Sequence, residues 1–455
     1  MARGKKKETL TPEERLQAAL VPVSEQPYKV PGNWCWTRME NIAQWGSGGT
    51  PSRKIPEYYN GDIPWIKTGE LNDDYIFETE EHITEEAISH SSAKLFPVNT
   101  VAIAMYGATI GKVGILGVAA TTNQACACGV SNSLANHKYL FYYSRSQKDN
   151  FIKKGKGGAQ PNISQEIIKS HEFPLPPLSE QHRIVDRIES LFAKLEEARQ
   201  KAQEALDSFE TRKAAILHRA FTGELTAQWR KERDVGMESW DNTTLSKIVI
   251  GFKYGISEKS DYSYKGMPVF RIPNITDDGL SFEDLKFLSH KDISDENQIH
   301  ENDILIVRSN GSRELVGKSV LVPQLDREYA YASFLIRIQL LESVVPNYLV
   351  MYLNSTDARM QMFKKAKSSA GINNINSKEL GAILINLPSF SEQAEIVRIL
   401  DNLLAKEQQA KEAAEKVLEQ IDLIKKAILA RAFRGELGTN DPSEESAVEL
   451  LKQVL

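Results

Sequence analysis

The sequence predicts an α+β protein built twice over, each half a strand-rich globule followed by a long α-helix. Three observations predict it. Residues 162–225 align without a gap onto 374–437 at an offset of 212, with 25 of 64 positions identical. Within both copies apolar residues recur at alternating spacings of three and four, the pattern of a long helix that buries one seam. Ahead of each copy lie short apolar runs set between glycine- and proline-containing loops, which read as strands with few helices.

Each copy opens on an Asn-Ile pair, Asn162-Ile163 and Asn374-Ile375, and then runs to Leu175-Pro176-Pro177 or Leu387-Pro388-Ser389. The prolines disfavour helix before that point and favour a start after it. The helices are expected to begin at Ser179-Glu180-Gln181 and Ser391-Glu392-Gln393. There a serine can cap free amides, and an early glutamate suits the helix dipole. The seam of the first helix includes Ile188, Leu191, Leu195 and Phe209; that of the second includes Leu400, Leu403, Val417 and Ile421, with Glu407 as an exception. Both stop at Ala-Phe followed by glycine, Gly223 or Gly435. Such helices suit dimerisation in general, but two in one chain in the same register more simply pair with each other.

The globules run in parallel. Ile63–Lys67 matches Met267–Arg271, Val101–Met105 matches Ile304–Arg308, and Gly111-Lys112 matches Gly317-Lys318. The expected order is an N-terminal arm (1–30), a globule (31–177), a spacer helix (178–222), a linker (223–236), a second globule (237–388), a second spacer helix (389–435) and a tail (436–455).

Several chemistries are not indicated. Three cysteines, Cys35, Cys126 and Cys128, cannot build a disulfide framework and read as buried free thiols, which points to a reducing, cytoplasmic setting. His171, His182 and His218 are scattered, no two histidines have zinc-ligand spacing, and no metal is expected. Gly311 to Ser319 has five residues between its glycines where a phosphate loop needs four, so a turn between strands is expected instead. No apolar run reaches the roughly 18–20 residues of a membrane span. No nucleophile–base constellation stands out, and the chain is expected to be non-catalytic.

The positive signal is polar, basic loops. In the first globule the candidates are Ser47, Thr50, Ser52, Arg53, Lys54, Lys67, Thr68, Tyr106, Thr109, Lys112, Lys153, Lys154, Lys156 and Gln160. In the second they are Lys253, Arg271, Asn274, Arg308, Ser309, Asn310, Ser312, Arg313, Lys318, Lys364, Lys365 and Lys367. Arg and Lys can read guanine, Asn and Gln can read adenine, and lysines suit phosphate. The net charge of −5 argues against a protein that coats nucleic acid, so a reader must gather its cations on one face. The residues alone leave two readings open, a DNA reader and a non-enzymatic coiled-coil scaffold without DNA specificity.

Pro174-Leu-Pro-Pro-Leu-Ser-Glu-Gln181 with Ala220-Phe-Thr-Gly-Glu-Leu-Thr-Ala-Gln-Trp-Arg230 resembles the central conserved region of type I restriction-modification specificity subunits. Leu387-Pro-Ser-Phe-Ser-Glu-Gln393 with Ala432-Phe-Arg-Gly-Glu-Leu437 resembles their distal conserved region, without the Thr-Ala-Gln-Trp-Arg extension. The resemblance implies two target recognition domains, each reading one half of a split double-stranded DNA target. It implies that the helices pair as an antiparallel coiled coil with pseudo-two-fold symmetry and set the gap between half-sites. It also implies partners: two modification (methyltransferase) subunits that hold S-adenosylmethionine, and restriction subunits that use ATP and Mg. No cofactor is then expected in this chain.

Overall fold

The computed structural model describes residues 11–155, 162–369 and 371–455. The chain divides into two compact units, one from the described parts of 1–201 with 417–455 and the other from those of 202–416.

The first unit is organised by a five-stranded sheet in the order Ala43–Ser47, Cys126–Ser131, Val101–Ala104, Val113–Leu116, Tyr75–Ile76. Its pairs are antiparallel except the last. The sheet of the second unit has four strands, Val249–Tyr254, Leu335–Leu340, Ile304–Val307 and Ser319–Leu321. The central strands are unbroken apolar runs because both of their faces are covered. Val101 and Ile103 enter a core with Tyr139 and Phe173, whereas Ala102 and Ala104 enter another with Ile66, Cys126 and Cys128. Ile304 and Ile306 likewise face one core, and Leu305 and Val307 another. Alternation along a strand requires this division. Each unit adds a three-stranded sheet with one parallel pair, Ile63–Ile66 with Thr121–Thr122 or Pro268–Phe270 with Ala330–Tyr331. Each also has an antiparallel pair ahead of the long helix, Cys35–Arg38 with Glu172–Leu175 and Asp241–Thr244 with Leu384–Leu387.

All three cysteines are buried and free. Burial pushes the Cys35 and Cys128 thiols up to about 12, so neither is a thiolate near neutral pH.

The first long helix runs Leu178–Asp207 and, after a break at Ser208, Phe209–Phe221; the second is continuous over Phe390–Ala432. Both start one residue earlier than expected, and the expected capping serines lie inside the first turn. The Ser389 hydroxyl accepts from the Glu392 amide at 3.3 Å, and Pro177 holds the equivalent position in copy one. Ser179 instead donates to Glu444 at 2.6 Å. Along the expected seam Ile188, Phe209, Leu400 and Ile421 are buried, and Leu191, Leu195 and Leu403 are half-buried. Val417, expected on that seam, is exposed (39%). Two helices alone cannot enclose every seam position. Glu407, the exception in the pattern, accepts from Arg212 at 2.8 Å.

The Glu-Gln dipeptides at the helix starts have no solvent exposure. Gln181 accepts from the Asn136 amide at 2.8 Å and donates to the Leu134 and Pro176 carbonyls; Gln393 does the same with Val345, Ser343 and Pro388. Glu392 accepts from Thr226 at 2.7 Å, Arg230 at 2.6 Å and the Trp240 indole at 3.0 Å. Glu180 accepts from Thr439 at 2.7 Å and from Arg183 at 2.7 Å, and Arg183 also binds Glu444. Buried charges of this kind are tolerated only when paired. The tail is therefore part of the first unit's structure. Its helix Ala447–Lys452 packs Ala447 and Leu451 into the core that holds Leu16 and Trp34.

The helix ends are also equivalent. Phe433 sits between Tyr139 and Tyr143 with ring centroids at 5.3 and 5.1 Å, and Phe221 between Tyr348 and Tyr352 at 5.4 and 5.1 Å. The tyrosine hydroxyls donate to the strand before each helix: Tyr139 to Pro174, Tyr143 to Glu172, Tyr348 to Asn386 and Tyr352 to Leu384. Gly223 and Gly435 then adopt φ of 83° and 72°, the left-handed stop expected of them. Phe433→Ala is expected to cost the first unit about 3–5 kcal/mol, read as a lowered denaturation midpoint; an unchanged midpoint would show that the tyrosine clamp does not hold the helix end.

His171 is a buried core group, whereas His182 and His218 are exposed. The His171 Nδ1 accepts from Lys154 at 3.0 Å, leaving Nε2–H to donate to Gln147 at 3.2 Å. Burial, with the Lys154 charge adding to it, lowers its pKa to about 4. The unfolded chain would therefore take up the proton first as pH falls from about 6.5. Stability should be full above that pH and decline towards about 4, by at most about 3 kcal/mol from this group. Urea midpoints measured across that window should fall less steeply in His171→Gln; an equal slope would assign the loss to other groups.

Candidate nucleic-acid interface

One backbone frame carries the polar edge of both units. In the first, the Met105 amide donates to Ala125 O at 2.9 Å, Met105 O accepts from the Ile163 amide at 2.9 Å, and Tyr106 bridges Asn162. In the second, Arg308 makes the same pair of bonds to Phe334 and Ile375, each at 2.9 Å, and Ser309 pairs with Asn374. The Gly49 amide meets Thr122 O at 2.8 Å, as the Ile256 amide meets Tyr331 O at 2.9 Å. Gly48 and Gly255 make this crossing possible: a Cβ there would lie 2.0 and 2.2 Å from the Thr122 and Tyr331 carbonyl oxygens. Finally Gln165 donates to Ser47 at 3.2 Å, and Tyr254 bonds Ser377 at 3.1 Å. Equivalent positions thus hold Ser47 and Tyr254, Met105 and Arg308, Asn162 and Asn374, Gln165 and Ser377, with Gln124 and Ser333 beside them. The frame is shared and the side chains differ.

In the first unit this frame gathers Ser47 and Thr50, the latter bonded to Gln124, with Tyr106, which is 44% exposed. Thr109 is a turn residue that donates to Tyr106 O at 2.8 Å. Ser52 accepts from the Lys54 amide at 3.3 Å. Arg53 and Lys67 converge elsewhere, on Glu81: Arg53 binds both carboxylate oxygens at 2.5 and 3.1 Å and lies over Tyr59, and Lys67 reaches Glu80 and Glu81 at 2.9 and 3.1 Å. These contacts hold the Glu81 carboxyl below its usual range. Thr68 begins a short turn, half-buried, next to them. Lys154 is held by His171 and, at 3.3 Å, by Glu172. Lys54, Lys112 and Lys153 have no ion pair among the described residues. Lys156 and Gln160 lie outside the described residues.

In the second unit a three-stranded sheet of Ser309–Asn310, Ile372–Asn374 and Lys367–Ser369 brings the post-strand loop beside the basic loop. Asn310 accepts from the Ser312 amide at 2.7 Å. Arg308 lies 4.5 Å over Tyr254 and donates through Nε to Asn374 at 3.3 Å. Arg313 donates to Phe363 O at 2.9 Å. Lys364 and Lys365 close the helix Thr356–Lys365. Arg308, Arg313, Lys364 and Lys365 have no carboxylate partner among the described residues. The other cations are paired: Lys253 with Glu296 at 3.4 Å, Arg271 with Asp284 at 3.0 Å, Lys318 with Asp277 at 2.7 Å and Lys367 with Glu379 at 3.6 Å. Asn274 is buried and ties the Arg271 amide to Glu283 O, holding a turn together.

The Gly-Lys turns are strand connectors, as expected. Gly111 and Gly317, at φ of 74° and 89°, donate to Ala104 O and Val307 O at 3.0 and 2.7 Å, closing turns between antiparallel strands. Sequence reasoning passed over Gln124, Gln165, Ser333 and Tyr254. Gln165 had a signal: it aligns with Ser377 as a polar difference inside the repeat. The edge as a whole offers carboxamides, hydroxyls and unneutralised cations, which is chemistry for base edges and phosphates rather than for bond making. Among the described residues no group of three His, Cys, Asp or Glu could hold a metal, and no helix is long and apolar enough to cross a membrane.

Comparison with known proteins agrees with this geometry. At 24% identity over 444 residues, covering 94% of this chain and 96% of the relative, the chain is similar to the type I restriction enzyme EcoKI specificity subunit of Escherichia coli K12. It is 33% identical over 184 residues to the MjaIX specificity subunit of Methanocaldococcus jannaschii, covering 39% of this chain and 42% of that one. The crystal structure of the HsdS subunit from Thermoanaerobacter tengcongensis has a similar fold, with a TM-score of 0.67 at 21% identity over 91% of this chain and 100% of that one. The family model described as the type I restriction modification DNA specificity domain matches residues 31–205 and again 237–420. With most of its length in those two matches, the chain belongs to the type I restriction-modification specificity family and is a DNA specificity subunit with two recognition domains.

Proposed function

We propose that this subunit reads a bipartite duplex, one recognition domain per half-site, and that it contains no catalytic centre of its own. One observation carries the reading: the two domains share a hydrogen-bonded frame, yet present different side chains along its edge. Among the sequence candidates, Ser47, Thr50, Tyr106, Arg308, Ser309 and Asn310 belong to this edge and are assigned to base contact. Lys54, Lys112, Lys153, Arg313, Lys364 and Lys365, lacking ion pairs among the described residues, are assigned to phosphate.

The two long helices are proposed to form an antiparallel coiled coil with pseudo-two-fold symmetry that sets the gap between half-sites. Four contacts support this: Glu196 with Lys425 at 3.4 Å, Arg199 with Asp422 at 3.0 Å, Phe209 with Lys411 at 5.0 Å and Arg212 with Glu407 at 2.8 Å. Each step up the first helix moves its partner an almost equal step down the second. The 212-residue shift carries the pair 196/425 onto 408/213, one residue from Glu407 and Arg212. Such symmetry suits the dyad of a duplex. Two modification subunits are proposed to dock along these helices and to supply S-adenosylmethionine. Restriction subunits would bring ATP and Mg. The assembly would work in the cytoplasm.

Sequencing modified adenines in cells with and without the chain tests the reading. A discontinuous motif should vanish without it, and exchanging residues 237–388 for those of a relative should change one half of the motif only. An unchanged pattern would contradict it. Replacing Lys153, Lys154 and Lys156 together should weaken DNA binding at every sequence, lower the salt slope by about one to two, since Lys154 is already paired with Glu172, and leave the motif intact; an altered motif would place those lysines on bases.

A further inference from the structure

The edge of the second domain carries a cation that is fixed but not neutralised. Arg308 follows directly on the buried strand Ile304–Val307, and both its backbone groups are used, by Phe334 and Ile375. Its side chain is half-buried, with the guanidinium 4.5 Å over the Tyr254 ring and Nε donating to Asn374 at 3.3 Å. Tyr254 is itself fixed, because its hydroxyl donates to Ser377 at 3.1 Å and accepts the Ser377 amide at 2.9 Å. Neither terminal nitrogen of Arg308 has a hydrogen-bond partner among the described residues. Arg271, by contrast, is spent on Asp284.

We infer that Arg308 reads a guanine in the half-site of the second domain; this rests on the proposed function above. A stacked, tethered guanidinium presents its remaining donors as a planar fork at low entropic cost, and the fork matches the O6 and N7 acceptors of guanine in the major groove. A phosphate contact needs no such positioning. The Asn374 carboxamide holds Nε on one edge of the guanidinium, so the two terminal nitrogens are the donors left to present. The first domain lacks the device. Its equivalent residue, Met105, is apolar and 3% exposed, and the polar groups around it are the carboxamides Gln124, Asn162 and Gln165. The two half-sites are therefore read with different chemistry at equivalent positions.

The test is selection from a pool of random duplexes by the full chain with its modification partner, comparing wild type with Arg308→Gln and Tyr254→Ala. Wild type should enrich a motif with an invariant guanine in the half-site that changes when residues 237–388 are exchanged. Arg308→Gln should lower guanine preference at that one position by about five- to a hundred-fold, the discrimination of one bidentate pair, and move it towards adenine. A misfolded variant could not produce such a shift. Tyr254→Ala should weaken the same preference less. An unchanged motif with uniformly weaker binding would make Arg308 a phosphate contact and overturn the inference. A wild-type half-site without guanine would overturn it too, while leaving bipartite reading intact. An exchange of 237–388 that leaves the motif unaltered would instead defeat the reading on which it rests.

Discussion

A glutamate and a glutamine without solvent exposure begin each long helix, and a phenylalanine held between two tyrosines ends it. The glutamine ties the first turn to a strand–helix connection of its own domain, and the glutamate needs donors from the segment that follows the other helix. Each helix therefore starts in one unit and finishes in the other, with buried polar groups at one end and aromatic packing at the other. Removing either partner of a buried pair leaves a charge uncompensated, so this closure is a strong constraint on both units.

That constraint separates scaffold from readout. The tyrosine clamps, the glycine crossings at Gly48 and Gly255 and the backbone bonds of Met105 and Arg308 recur in both domains. The side chains standing on the frame do not. Arg308 takes the place of Met105, Tyr254 that of Ser47, and Ser377 that of Gln165. A specificity subunit needs a fixed geometry relative to its partners and freedom to change the sequence it selects. Here backbone bonds and buried pairs supply the first, and the proposed reading gives the second to half a dozen side chains at the end of one strand and on the loops that cross it. The paired cations fit the same division. Arg53, Lys67, Arg271 and Lys318 pair with carboxylates of the loops, which leaves Arg308, Arg313, Lys364 and Lys365 as the cations without a carboxylate partner among the described residues of the proposed edge and its neighbouring loop.

Much of this was legible in the sequence because it is local. Helix periodicity, the glycine stops and the Gly-Lys turns each depend on a few neighbouring residues. The double burial of Val101–Ala104 and Ile304–Val307 showed as unbroken apolar runs. Long-range pairing did not show. The missing Thr-Ala-Gln-Trp-Arg extension after Leu437 looked like a simple departure, yet Thr439 and Arg183, the latter held by Glu444, do for Glu180 what Thr226 and Arg230 do for Glu392. The partners of Glu180 lie up to 259 residues away, beyond any spacing rule. Among the interface candidates, residue type alone could not tell Arg308 from Arg271. Only the positions of Asp284 and Tyr254 separate a neutralised guanidinium from a poised one.

The central claim is that one edge of each domain faces the bases of one half-site. Photocrosslinking from positions 124 and 333, equivalent in the two domains, to a duplex carrying the modified motif tests it most directly. The account predicts crosslinks to bases from both positions, each confined to a different half-site. Crosslinks from both positions to the same half-site, or base crosslinks from neither, would contradict it.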